Sequence, residues 1–133
     1  MKTLFASLSS LMIVKVLKTH SQEAISELVY YVCNFLDFHP SSIEIDDLHV
    51  KSVNGMCIDL SQNDFLILLK DHRDMMYTLV HELVHVNQYI KQDLGKHLDA
   101  RSEKYENCWW EVEAKKLTKQ IMENFNERNG TTE

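Results

Sequence analysis

Residues 81 to 85 read His-Glu-Leu-Val-His, an H-E-x-x-H run. On an α-helix, side chains four apart lie one above the other on the same face, so the two imidazoles can converge on one metal ion. Glu82 is turned about 100° from His81. That offset makes it a poor third ligand, yet lets its carboxylate reach a water in an open coordination position and take a proton from it. Five residues thus hold two ligand candidates and a base, which is the chemistry of a zinc-dependent hydrolase. The chain carries seven histidines, so the pattern needs support from its surroundings.

A catalytic zinc ion usually has three protein ligands and one open position. Downstream of the motif the candidates are His97, Glu103, Glu106, Glu111 and Glu113. The last two fall in Cys108-Trp109-Trp110-Glu111-Val112-Glu113-Ala114, part of a long helix whose apolar stripe runs Trp110, Ala114, Leu117, Ile121 and Phe125. Glu111 and Glu113 flank that stripe at similar angular offsets, and periodicity does not choose between them. Tyr89 and Tyr105 are candidate donors to a developing oxyanion. His20, His39, His49 and His72 have no partner at ligand spacing and read as surface or hydrogen-bonded residues. Trp109 and Trp110 read as rim and core of their helix, and Cys108, on the opposite side from Ala114, as a buried thiol.

The motif needs a helix to carry it. The pattern predicts one from about Arg73 to Leu94, capped by Asp71 and stopped by Gly95. Met75, Met76, Leu79, Leu83, Val86 and Ile90 make its apolar stripe, with His81, His85, Tyr77 and Gln88 opposite. Val80 and Val84 flank the histidine face, as in a cleft wall. A strand from Phe65 to Leu69 leads directly into this helix. Before it, Ile43, Ile45, Val50 and Val53 approach Asn54-Gly55, and Met56, Ile58 and Leu60 follow, which predicts a hairpin. With a turn at Ser61 to Asp64, the result is a small antiparallel sheet. An N-terminal helix starts at Ser21, presents Ile25, Leu28, Val29, Val32, Phe35 and Leu36, and ends before Pro40. Residues 11 to 19 fit a strand or the end of an earlier helix equally well.

The 133 residues suit one domain, residues 1–133. A formal charge of -6 and the absence of basic runs interleaved with aromatics argue against nucleic-acid binding. Cys33, Cys57 and Cys108 are odd in number and widely spaced, which suits a reducing, cytoplasmic compartment better than a disulfide framework. The run up to Val14 loosely resembles a signal peptide, but it lacks a small-x-small cleavage site and is followed by Lys15 and Lys18. No stretch approaches the roughly 20 apolar residues of a membrane span.

Strand, H-E-x-x-H helix and glutamate-bearing helix, in that order over about residues 65–125, resemble the gluzincin metallopeptidases, and among them the minimal single-domain members of bacteria and phages. In that family a downstream helix supplies a glutamate ligand, commonly followed three positions later by a small residue. Glu111 with Ala114 matches, whereas Glu113 is followed by Lys116. The resemblance implies that His81, His85 and Glu111 hold Zn²⁺, with Glu82 as general base in peptide-bond hydrolysis. Lys115 departs from the pattern, standing where the family has the acidic residue that orients a zinc-bound histidine. The implied fold is α+β and zincin-like: N-terminal helix, small antiparallel sheet, motif helix and long C-terminal glutamate helix. The implied substrate is a peptide or protein segment paired along the Phe65 to Leu69 strand. Two other classes fit the same residues: a catalytically silent zinc-site binding or regulatory module, such as a phage or toxin-antitoxin accessory protein, and a helical interaction protein using Trp109 and Trp110.

Overall fold

The computed structural model describes residues 12–16, 22–99 and 108–128. The predicted cap Ser21, as well as His20, Glu103, Tyr105 and Glu106, lie outside the described residues, as does most of the leader-like N-terminal run. The architecture is α+β, with strands β1 (Ile13–Val16), β2 (Ser42–Asp47), β3 (Gly55–Asp59) and β4 (Asp64–Leu69), and helices α1 (Gln22–Leu36), α2 (Met75–Gln92), α3 (Leu94–Asp99) and α4 (Trp109–Arg128).

The sheet is mixed rather than antiparallel, in the order β1-β2-β4-β3. Strand β1 pairs parallel with β2, Ile13 opposite Ser42 and Val16 opposite Ile45. Strand β2 pairs parallel with β4, Ile43 opposite Phe65 and Ile45 opposite Ile67. Only β3 and β4 run antiparallel. Parallel neighbours require a long crossover: α1 provides it between β1 and β2, and the excursion through β3 provides it between β2 and β4. Residues 13–16 are therefore a strand, and the Phe65 to Leu69 segment lies inside the sheet, not on its edge.

Asn54-Gly55 does not turn a hairpin. Gly55 opens β3 opposite Leu69, while the Asn54 carbonyl accepts the Lys70 N–H at 2.9 Å. The reversal comes after β3, where Ser61, Gln62 and Asn63 adopt φ of 74°, 57° and 68° and Leu60 N–H donates to the Asp64 carbonyl at 2.9 Å. The glycine serves close approach instead. A Cβ at position 55 would lie 2.6 Å from Thr78 Cγ2 and 3.1 Å from Glu82 Oε2, so its absence lets β3 lie directly against the motif helix.

Helix α1 buries Ile25, Leu28, Val29, Val32 and Cys33, and Phe35 of its predicted stripe is exposed. It stops at Asp37, in the left-handed region with φ 58°. Helix α2 begins after Asp74, which makes no side-chain cap bond, and ends at Asp93 with φ 53°. Neither Asp71 nor Gly95 fills its predicted role; Gly95 lies within α3. A left-handed aspartate does the work that sequence patterning assigns to glycine.

Helix α2 is the central element, packing against β3, β4, α1, α3 and α4. Leu79, Val80, Leu83, Val84 and Val86 are fully buried, while Ile90 is exposed. They share one core with Ile43, Ile67, Ala114 and Ile121. The far end of α4 rests on α1, with the Tyr31 and Phe125 rings 5.1 Å apart and the Arg128 guanidinium 5.0 Å above Tyr31. At its start the Cys108 carbonyl accepts the N–H groups of Glu111 and Val112 at 3.0 and 3.1 Å, which fixes Glu111 in the first turn. No helix among the described residues is long and apolar enough to cross a membrane.

Candidate metal centre

Helices α2 and α4 bring His81, His85 and Glu111 together. His81 Nε2 lies 3.1 Å from Glu111 Oε1, and His85 Nε2 lies 3.1 Å from Glu111 Oε2. The two rings stand edge to face, 4.9 Å between centroids. All three side chains offer ligand atoms within 4.8 Å of one another, and Glu111 is only 3% exposed. Zinc–nitrogen and zinc–oxygen bonds of about 2.0–2.2 Å at a tetrahedral angle put neighbouring ligand atoms about 3.3–3.5 Å apart. The observed N···O separations fall a few tenths of an ångström short of that spacing. Two imidazole nitrogens and a carboxylate also make the borderline donor set that zinc accepts.

Glu113, one turn-flank away, does not join them. Its Oε1 accepts the Gln88 side-chain N–H at 2.7 Å. His97 stacks edge to face on Trp109 at 5.3 Å. Trp110 is buried and Trp109 partly exposed, as the stripe predicts, and Cys108 is buried with Leu94 and Trp110 in a small cluster against Tyr89. His39 pairs with Asp37 at 3.1 Å. Cys33, Cys57 and Cys108 are not joined in disulfides.

Gln88 was not singled out by sequence reasoning, although its position is informative. It sits three residues after His85, on the same helix face, and is fully buried. Its Oε1 is 2.7 Å from His85 Nδ1, and its Nε2 also donates to the Trp110 carbonyl at 3.0 Å. Lys115, at the position of the expected acid, is exposed.

His85 and Glu111 of the trio border a cavity of about 420 Å³. Glu82, His85 and Glu111 supply its polar part, and Val53, Met56, Leu94, Leu98 and Trp110 its apolar walls. Burial raises the Glu82 carboxyl above the ordinary 4.5, opposed by His85 and His81 and reinforced by Glu111. For His85, burial disfavours the imidazolium, but the bond to Glu111, the charge of Glu82 and the bond to Gln88 outweigh it and raise the ring above 6.5. Tyr89 also lines the cavity. Burial, with Cys57, Asp59 and Glu82 adding, pushes its phenol up to about 12, so it keeps its proton at neutral pH.

Compared with known proteins, the chain matches no family model, no curated protein and no solved structure. Its chemistry is read from its own residues.

Proposed function

We propose that this chain is a zinc-dependent metallopeptidase of the gluzincin type, with His81, His85 and Glu111 as zinc ligands and Glu82 as general base. The observation that carries the reading is the pair of 3.1 Å approaches from two histidine Nε2 atoms to the two oxygens of one buried carboxylate, beside the cavity that Glu82 also lines. When bound, Zn²⁺ would polarise a scissile carbonyl and acidify a water to near neutrality.

Glu82 takes a proton from the attacking water and returns it to the leaving amine. Its raised pKa suits a group that must hold that proton between the two transfers. Tyr89, protonated and facing the same cavity, is available as a hydrogen-bond donor to the substrate. The substrate is a peptide or protein segment. It pairs along β3, which lies on the sheet edge and lines the cavity with Gly55, Met56 and Cys57. The apolar walls favour a bulky apolar side chain next to the bond that is cut.

The test is Glu82→Gln. Stoichiometric zinc should remain, and cleavage of peptides carrying bulky apolar residues should fall by ~10²–10⁴-fold. A variant that cleaves as fast as the parent removes Glu82 from the mechanism. A parent chain that takes up no zinc removes the metal site.

A further inference from the structure

We propose that Gln88 is a positioning residue for His85: it fixes the ring's tautomer so that Nε2 is the nitrogen offered to the metal, and Glu113 holds Gln88 in place. This inference rests on the zinc reading above and adds a role for two residues that the ligand set leaves out.

A glutamine side chain has one acceptor end and one donor end. The two ends are often interchangeable in a structure, but here the surroundings decide between them. One end of Gln88 meets Glu113 Oε1 at 2.7 Å and the Trp110 carbonyl at 3.0 Å. The Trp110 carbonyl oxygen can only accept, so this end is the NH₂ group, and its two protons go to that carbonyl and to Glu113. The oxygen must then face His85 Nδ1, 2.7 Å away, and that nitrogen must carry a proton. A neutral imidazole has only one. Nε2, which in the metal-free chain hydrogen-bonds to Glu111, is then the nitrogen that gives up its proton and offers a lone pair when a cation binds.

The amide is fully buried, so no water can replace these bonds without opening the helix contact. The relay runs from the backbone and side chain of α4, through an amide on α2, to a ring on α2. Its α4 end, Trp110 and Glu113, brackets Glu111 itself. The support thus comes from the same turn that brings the third ligand. It also explains how a chain with exposed Lys115 can orient a ligand histidine. An amide three residues along the motif helix does what an acid on the glutamate helix would otherwise do. Ligand-orienting groups of this kind are worth ~10–100-fold in metal affinity.

The experiment compares the parent chain with Gln88→Met, which keeps side-chain length and removes both ends of the relay, and with the paired exchange Gln88→Glu/Glu113→Gln. Zinc affinity is measured by chelator competition, and the His85 ring protons by imidazole ¹⁵N NMR with and without zinc. Gln88→Met should bind zinc ~10–100-fold more weakly and lose the hydrogen-bonded Nδ1 proton of His85, with the rings of His81 and His97 unaffected. Gln88→Glu alone should also bind more weakly, because two carboxylates then face each other. The paired exchange should recover the Nδ1 proton and part of the affinity, since a carboxylate at 88 accepts from the ring and an amide at 113 donates to it, while the Trp110 carbonyl loses its donor. General loss of packing would not produce that recovery. If Gln88→Met fails to fold, Glu113→Ala, at a half-buried site, should give a smaller loss of affinity in the same direction. Unchanged zinc affinity and an unchanged Nδ1 proton in Gln88→Met overturn the relay alone. A parent that binds no zinc overturns the metal site, and a metal-free parent without an Nδ1 proton on His85 overturns the relay independently.

Discussion

Gly55→Ala is the sharpest test of how the sheet edge meets the motif helix. The added Cβ would sit 2.6 Å from Thr78 Cγ2 and 3.1 Å from Glu82 Oε2. Carbon atoms in ordinary contact are about 3.5–4.0 Å apart, so β3 and α2 must separate by about 1 Å or the two side chains must turn. Overpacking of this kind costs about 1–3 kcal/mol. Each kcal/mol is worth roughly 2–8 °C in Tm across the size range that includes this chain. Thermal unfolding followed by circular dichroism should therefore show a fall of several degrees. The same displacement moves the Glu82 carboxylate, and if Glu82 is the base as proposed, a shift of about 1 Å there costs on the order of 10²-fold in rate. Thr78→Ser removes the atom in closest conflict. It should restore part of the lost stability in the double variant, a coupling of about 0.5–3 kcal/mol. A Gly55→Ala chain that melts with the parent, or a double variant no better than the single one, would refute the close-approach argument.

The remaining expectations concern the metal site. Glu111→Ala should lose most zinc affinity in chelator competition, because it removes a ligand candidate and leaves His81 and His85 without their carboxylate. Glu113→Ala should give only the smaller loss transmitted through Gln88. In the zinc-free chain, the raised His85 pKa contributes stability that is fully present below 6.5 and is lost as pH rises through the higher folded value. The raised Glu82 pKa has the same sign, its buried carboxyl costing stability once pH exceeds 4.5. The zinc-free Tm should thus fall from mildly acidic to mildly basic pH, while the gain from added zinc should grow over that range, since ligands bind metal deprotonated. A zinc-free Tm that rises across the same range contradicts the assignment.

Much of the site was legible because helix geometry is local. The spacing of His81 and His85 requires them to share a face, and of the downstream candidates Glu111 and Glu113 flank the stripe of α4. Choosing between those two needed the E-x-x-A resemblance, and in the structure Glu111 is the one facing both rings. Gln88 was placed on the histidine face but given no role, because the partners of its donor end come from another helix and a lone glutamine carries no pattern of its own. The sheet was misread where local signals stand for long-range pairing. Asn54-Gly55 has hairpin chemistry, but Gly55 answers to Thr78 and Glu82, more than 20 positions away. Alternation in Ile43, Ile45, Phe65 and Ile67 shows which face is buried and is silent on strand direction, so β4 came out central where an edge was expected. The helix end at Asp93 was missed since a left-handed aspartate is rarer than the glycine two residues on.

Leu83 and Val84, the two unspecified positions of the H-E-x-x-H run, are both fully buried in the main core. The spacer between Glu82 and His85 is therefore also the keel of the molecule. A substitution that loosens the interior there tilts the imidazoles with it, and one that re-aims the imidazoles must find room in a filled interior. Screening variants for thermal robustness alone would, at these two positions, also screen for an intact site. Attempts to retune the chemistry will find more freedom in the walls at Val53, Met56 and Leu98 than inside the motif.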